Sequence, residues 1–186
     1  MKRLALIAVF ATTLAACAEQ PLGPSGPPSG ASPLYAPGSG YTPGTGAVFR
    51  ARDFAWSASR GDGSIVGTLA YRPGGVRYSC ERGDVILTPE TAWTRRRMVI
   101  LYGSPVAAAV PLEIVRARTP SAPSGDYASY AKKTTCDGAN HFSFDGLPNG
   151  GWFVITLARP VDGPGEPIAV MRRVETRGGQ RTVTLN

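Results

Sequence analysis

TTCDGANHFSFDGLPNGGWFVITLA (134–158) is the stretch on which the fold of this chain turns. Apolar and polar residues alternate through HFSFDGL (141–147). Phe142 and Phe144 therefore share one face of an extended segment, and His141, Ser143 and Asp145 share the other. A second apolar run, WFVITLA (152–158), follows across LPNGG (147–151), a cluster of turn-forming residues. Two such runs around a turn cluster predict a hairpin, with Phe153, Ile155 and Leu157 facing the same core as the two phenylalanines.

The same spacing continues on both sides. SIVGTLAY (64–71), DVILT (84–88), PLEIV (111–115), PIAVMRRV (167–174) and RTVTL (181–185) are short apolar runs separated by Gly, Pro, Asn and Asp, and each predicts a strand. Ile65, Leu69 and Tyr71 fall on one side, with Gly67 between them, and Arg177-Gly178-Gly179-Gln180 predicts a second hairpin joining the last two strands. Repeated short strands with turns between them imply an all-β antiparallel sandwich over residues 47–186, about the size of one domain. TPETAWTRRRMVILYG (88–103) admits two readings. Thr88-Pro89-Glu90 is helix-start chemistry, whereas Met98 to Tyr102 is apolar enough for an extended crossing.

Upstream the composition changes. Residues 20–46 hold 7 Pro, 7 Gly and 4 Ser in 27 positions and no charged side chain. Such a segment buries too little apolar surface to offset its ordering entropy, so it reads as a disordered linker. Its reach is between about 30 Å as a coil and about 80 Å as polyproline II. A Pro-rich ligand role, with Tyr35 and Tyr41 as contacts, is the other reading, but no basic residue flanks its prolines.

The chain begins MKRLALIAVFATTLAAC, in which Lys2 and Arg3 precede a short apolar core and small residues. That core is too short to cross a ~30 Å hydrocarbon layer and has the order of a secretory signal peptide. Leu14-Ala15-Ala16-Cys17 resembles the lipobox of bacterial lipoproteins. The resemblance implies a signal peptide over 1–16, cleavage between Ala16 and Cys17, a lipid on the Cys17 thiol, and an acylated N-terminus followed by linker over 17–46. Two or three fatty chains anchor a protein stably where one is marginal. Ala18 and Glu19 follow with no Asp after the cysteine, which by the same resemblance implies outer-membrane sorting in a bacterial cell envelope. A plain signal peptide with a chance cysteine is the competing reading.

Export places the domain in an oxidising compartment, and lipidation of Cys17 leaves two further cysteines, Cys80 and Cys136. An even count there favours a disulfide closing a loop of about 57 residues, worth roughly 4 kcal/mol by chain entropy. The alternative is a reactive or metal-binding pair. With His141 the single histidine and no C-x-x-C spacing, ligands for zinc are lacking, and no metal or cofactor is expected.

Within 134–158, Asp137 and Gly138, Phe142 and Phe144, Leu147 and Pro148, Gly151 and Phe153 resemble the closing half of carboxypeptidase regulatory-like, or transthyretin-like, domains. GSIVGTLAYRPGGVRYSCERGDVILTP (63–89) resembles their opening strands, whereas 90–130 has no counterpart. The resemblance implies a transthyretin-like or Ig-like sandwich. It transfers no catalytic residue, and a fold hosting many roles does not supply a function.

The residues themselves offer little chemistry. His141, Asp137, Asp145 and Ser143 are local in sequence, whereas a hydrolase triad draws on separate elements around an activated nucleophile. A Cys136–His141 thiol dyad conflicts with the disulfide. No enzyme is expected.

The formal charge is +7, and loss of Lys2 and Arg3 leaves +5. Arginines gather at 95–97, at Arg116 and Arg118, at Arg172 and Arg173, and at Arg177 and Arg181. A basic surface near a membrane favours anionic lipid or glycan and acidic proteins, and export excludes nucleic acid. The expectation is a non-catalytic, membrane-anchored lipoprotein docking an envelope protein. A glycan- or peptidoglycan-binding module using exposed Trp56, Trp93 or Trp152 is the alternative.

Overall fold

The computed structural model describes residues 48–162 and 164–186, so the expected signal segment, Ala16, Cys17 and the whole expected linker to residue 46 lie outside the described residues. The chain enters through a 3-10 segment, Ala51–Ala58, and continues through β1 (Gly63–Leu69), β2 (Tyr78–Ser79), β3 (Asp84–Pro89) and α1 (Ala92–Tyr102). Then come β4 (Ala107–Pro111), α2 (Leu112–Arg118), β5 (Lys132–Thr135), β6 (His141–Leu147), β7 (Gly150–Pro160), β8 (Ile168–Thr176) and β9 (Gly179–Leu185).

The strands form two sheets. The smaller has the order β6-β1-β9 and the larger β4-β8-β7-β3-β5, with β2 paired to β7. Every pairing in the larger sheet is antiparallel, and β1 runs antiparallel to β6 but parallel to β9. The β-rich, predominantly antiparallel architecture agrees with the sequence reading, and the β1–β9 pair is its one parallel ladder among the described residues.

The core lies between the sheets. Ile65, Leu69, Phe142, Phe144, Val183 and Leu185 pack from one side, and Val85, Leu87, Trp152, Val154 and Val170 from the other. Gly67 sits opposite Phe142 in the ladder, and a Cβ there would overlap the Phe142 ring. The ring thus crosses the strand at the point that the sequence leaves bare.

A second apolar layer covers the outer face of the larger sheet. Phe153, Ala169 and Met171 meet Met98, Leu101 and Tyr102 of α1 there. Glu90, with 9% of its side chain exposed, is clamped by Arg95 and by Arg173, whose Nε donates to both carboxylate oxygens at 2.8 and 2.7 Å. The clamp ties the approach to α1 onto β8.

Four sequence expectations are corrected. LPNGG is not a hairpin, because β6 and β7 belong to different sheets and the loop carries the chain between them. Consequently Trp152 and Val154 face the core of Phe142 and Phe144, whereas Phe153 and Ile155 lie under the helices. The turn after β8 likewise leads to a strand in the other sheet, since β9 pairs with β1. PLEIV (111–115) is not a strand. The edge strand is the preceding Ala107–Pro111, and Leu112–Arg118 is helical, held by a Glu113–Arg116 ion pair of 2.7 Å and by Arg118 donating to the Leu101 carbonyl at 3.1 Å.

Finally, α1 starts beyond Thr88-Pro89, which complete β3. Its cap is Thr91, whose side chain accepts from the Thr94 amide at 3.1 Å while the Thr94 hydroxyl accepts from the Thr91 amide at 2.7 Å. Such reciprocal capping satisfies two donors that a helix start leaves open.

Candidate functional site

The cysteines come first, because they settle what is reactive. Cys80 and Cys136 form a disulfide, with Cα atoms 5.7 Å apart. Asn140 braces this corner by accepting through Oδ1 from the Cys80 amide at 2.9 Å and the Ser79 hydroxyl at 2.7 Å. The bridge leaves Cys136 without a thiol for a dyad. His141, Ser143 and Asp145 point outward along β6, as the alternation predicts. His141 Nδ1 lies 3.8 Å from Asp137 Oδ2, with 60% of the imidazole exposed. The Asp137 carboxylate instead organises a turn, accepting from the Ala139 and His141 amides at 2.9 and 2.7 Å. Among the described residues, no three His, Cys, Asp or Glu side chains gather where a metal ion could sit.

Two of the three candidate stacking tryptophans are correctly placed only as core. Trp93 is 1% exposed, in edge or tilted contact with Phe49, Phe54 and Tyr127, and the Arg97 guanidinium lies 5.8 Å from its centroid. Trp152 is fully buried beneath Trp56, centroid to centroid 4.9 Å. Neither can stack on a sugar. Trp56 is half-buried, packed against that core.

The arginine clusters are largely engaged in the fold. Arg95 and Arg173 hold Glu90, Arg97 donates to the Pro123 carbonyl at 2.8 Å, and Arg116 pairs with Glu113. Arg172 donates to the Thr184 carbonyl at 3.0 Å, and Arg177 pairs with Glu175 at 3.0 Å. A good part of the basic character read from the sequence therefore serves internal contacts.

A polar concavity lies elsewhere, where the sandwich opens. β5 and β6 are edge strands of opposite sheets, joined by the disulfide corner. From that corner they lead back to Lys132 at the start of β5 and to Asp145 and Gly146 near the end of β6. Lys132 stands opposite Leu87 in the ladder, so its stem lies on the inner face of the edge strand. The segment after the 3-10 turn runs beside β6, with the Gly61 amide donating to the Gly146 carbonyl at 3.1 Å. A Cβ on Gly61 would collide with the Leu147 carbonyl, so this close approach requires glycine.

The result is an open depression of about 350 Å³ lined by Ala58, Ser59, Arg60, Lys132, Asp145 and Gly146. Among the described residues, the side chains of Arg60, Lys132 and Asp145 have no hydrogen-bond or ion-pair partner. Asp145 is readable from sequence as outward-facing. Lys132 and Arg60 are not, because KKTT (132–135) lacks an apolar alternation and RGDG (60–63) reads only as a turn.

No protein-family model and no curated protein sequence matches this chain. Among solved structures, a candidate carbohydrate-binding protein from Pseudomonas aeruginosa superposes with a TM-score of 0.54 at 23% identity, covering 74% of this chain and 96% of its own. The likeness is one of fold. A candidate carbohydrate-binding protein from Bacteroides uniformis matches at a TM-score of 0.34 and 8% identity over 66% of this chain and 40% of its own, too distant to bear on the fold.

Proposed function

We propose that this chain is a lipid-anchored, non-catalytic lipoprotein of a bacterial envelope, and that its sandwich is a carbohydrate-binding module. The observation that carries the binding reading is the seam depression, a polar concavity whose three charged side chains have no partner within the described residues. Unengaged charges in a concavity are available to a ligand, whereas most of the clustered arginines elsewhere are engaged within the fold. The likeness in fold to the candidate carbohydrate-binding protein of Pseudomonas aeruginosa supports the same reading by analogy.

The anchor rests on Leu14-Ala15-Ala16-Cys17 and the uncharged linker behind it. The cysteine followed by Ala18 and Glu19 favours the outer membrane. We assign the sandwich to the transthyretin-like type, with residues 92–118 as a helical elaboration of its middle. Support comes from Phe142, Phe144 and Leu147, motif positions that fill the inter-sheet core.

Two measurements test the proposal. Intact-mass analysis of the membrane fraction is expected to find Cys17 as the first residue, carrying fatty acyl chains, with Cys17→Ala releasing the protein from membranes. A mature chain beginning elsewhere, or Cys17→Ala remaining membrane-bound, would sink the anchor. A glycan panel is expected to yield at least one ligand. A blank panel beside stoichiometric capture of an envelope protein would replace the carbohydrate reading with protein docking.

A further inference from the structure

Resting on that carbohydrate-binding reading, we infer that the seam between β5 and β6 is the ligand site and that it takes a uronate-bearing polysaccharide, one acidic sugar unit at a time. The argument begins with charge. Arg60 and Lys132 bring two cations to the depression and Asp145 one carboxylate, so the site carries one net positive charge. That matches a single carboxylate on the ligand better than a doubly charged phosphate.

Asp145 sharpens the choice. A carboxylate beside two cations repels a bare anion but accepts hydrogen bonds from hydroxyl groups. A ligand satisfying all three groups must present an acid and hydroxyls on one small ring. An acidic sugar does so. Ser59 adds a hydroxyl that can donate or accept.

The geometry matches a polymer rather than a free monosaccharide. The depression is open rather than enclosed, between residues 58–60 and the edges of β5 and β6, so a chain can enter and leave it without threading a cavity. Its walls are preset. Gly146 has φ +66°, a left-handed conformation that disfavours a side chain, and its carbonyl is already bound by the Gly61 amide. The Arg60 backbone is thereby held next to the end of β6, and its Cγ lies about 4.0 Å from where a Gly146 Cβ would stand.

The full-length chain, titrated with oligogalacturonate and followed by NMR, is expected to shift the amides of 58–60, 132 and 145–146. An uncharged maltooligosaccharide of equal length is expected to bind at least about ten-fold more weakly, since one charge-assisted hydrogen bond is lost. Lys132→Met keeps the stem that packs beside Leu87 and removes the charge, and Arg60→Gln does the same from the other wall. Each is expected to weaken oligogalacturonate binding at least about ten-fold without altering the rest of the spectrum.

If glycans bind but the shifts map elsewhere, or both variants bind as the parent does, the seam is not the site, although the carbohydrate reading stands. If no glycan binds, both fall, and Lys132 is left as an inward-facing charge that keeps an edge strand from pairing with other chains. If inorganic phosphate displaces oligogalacturonate at equal concentration, the seam is a general anion site and the acidic-sugar assignment is overturned.

Discussion

Trp93 and Trp152 are both buried indoles, and they differ in where the ring N–H goes. Trp152 Nε1 donates to Thr176 Oγ1 at 3.1 Å, and that hydroxyl donates onward to the Pro148 carbonyl at 2.7 Å. Trp93 Nε1 has no hydrogen-bond partner among the described residues. Phenylalanine in place of either removes similar volume, but only at 152 does it also break a buried hydrogen bond. Trp152→Phe is therefore expected to cost about 1 kcal/mol more than Trp93→Phe in urea unfolding; equal costs would mean that a water already satisfies Trp93. Tyr102 adds a pH-dependent element. Burial first, and the neighbouring Tyr127 second, push its phenol up to about 12, against the opposing pull of Arg97. The unfolded chain releases that proton near pH 10 and the folded one only near 12, so the unfolded state is favoured progressively across that window. Stability is expected to be intact below pH 10 and to fall by on the order of 2 kcal/mol by pH 12 through this group. Tyr102→Phe is expected to flatten that part of the curve; an unchanged pH profile would show that the phenol does not stay protonated in the fold. None of these residue-scale contacts was legible beforehand. Period-two spacing identifies large aromatics as core, but a hydrogen-bond partner 24 residues away is set by tertiary structure alone.

At the scale of elements, spacing told which side chains share a face but not which face is which. Phe142 and Phe144 lie where alternation with His141, Ser143 and Asp145 puts them, because β6 has one apolar and one polar face. β7 is apolar on both, buried between the sandwich core on one side and α1 on the other, so no alternation marks its phase. A hairpin at LPNGG would put Phe153 on the side of Phe142 and Phe144, whereas it lies in the outer layer. The helices posed a related problem. Ile114 and Val115 are β-branched and suggest a strand, but Leu112, Glu113, Arg116 and Arg118 favour a helix once Ala107–Pro111 has taken the sheet edge. At α1 the helix starts three residues beyond Thr88, since Thr88 and Thr91 are equally good caps in sequence. What separates them is that Thr88 is buried in β3, opposite Phe153, while Thr94 is positioned to answer Thr91 and also donates to the Pro89 carbonyl at 2.9 Å. Thr91→Ala removes one side of the capping box and is expected to cost about 1 kcal/mol in urea unfolding, with Thr88→Ala acting through lost strand packing instead. Hydrogen exchange separates the two: the first variant is expected to speed exchange in the opening turn of α1, the second along β3. Faster α1 exchange in Thr88→Ala alone would place the helix start where the sequence first suggested it.

At the scale of the molecule, the disulfide was the most legible long-range feature, because it follows from counting cysteines once the N-terminal segment is read as a signal for export. Its location was not legible. It lies where the chain leaves the larger sheet at β5 and enters the smaller at β6, and it joins that corner to the residues before β3. Hydrogen bonds double the link: the Arg82 amide donates to the Cys136 carbonyl and the Cys136 amide to the Gly83 carbonyl, both at 3.0 Å. Two contributions are thus separable. The covalent bond restricts the unfolded chain by closing a loop of about 57 residues, whereas the hydrogen bonds and Asn140 hold the corner in the native state. Replacing both cysteines by serine is expected to lower stability by about 2–4 kcal/mol while leaving the far-ultraviolet circular dichroism unchanged, since β7, β8 and β3 make the main ladders without passing through the corner. The effect on local opening is expected to be uneven. β5 and β6 are edge strands held together chiefly at this corner, so their amides are expected to lose exchange protection beyond the global change, and those of β7 and β8 are not. Uniform loss would mean that the two sheets open as one cooperative unit, and that the hydrogen bonds at the corner hold the edges of the seam without help from the sulfur bridge.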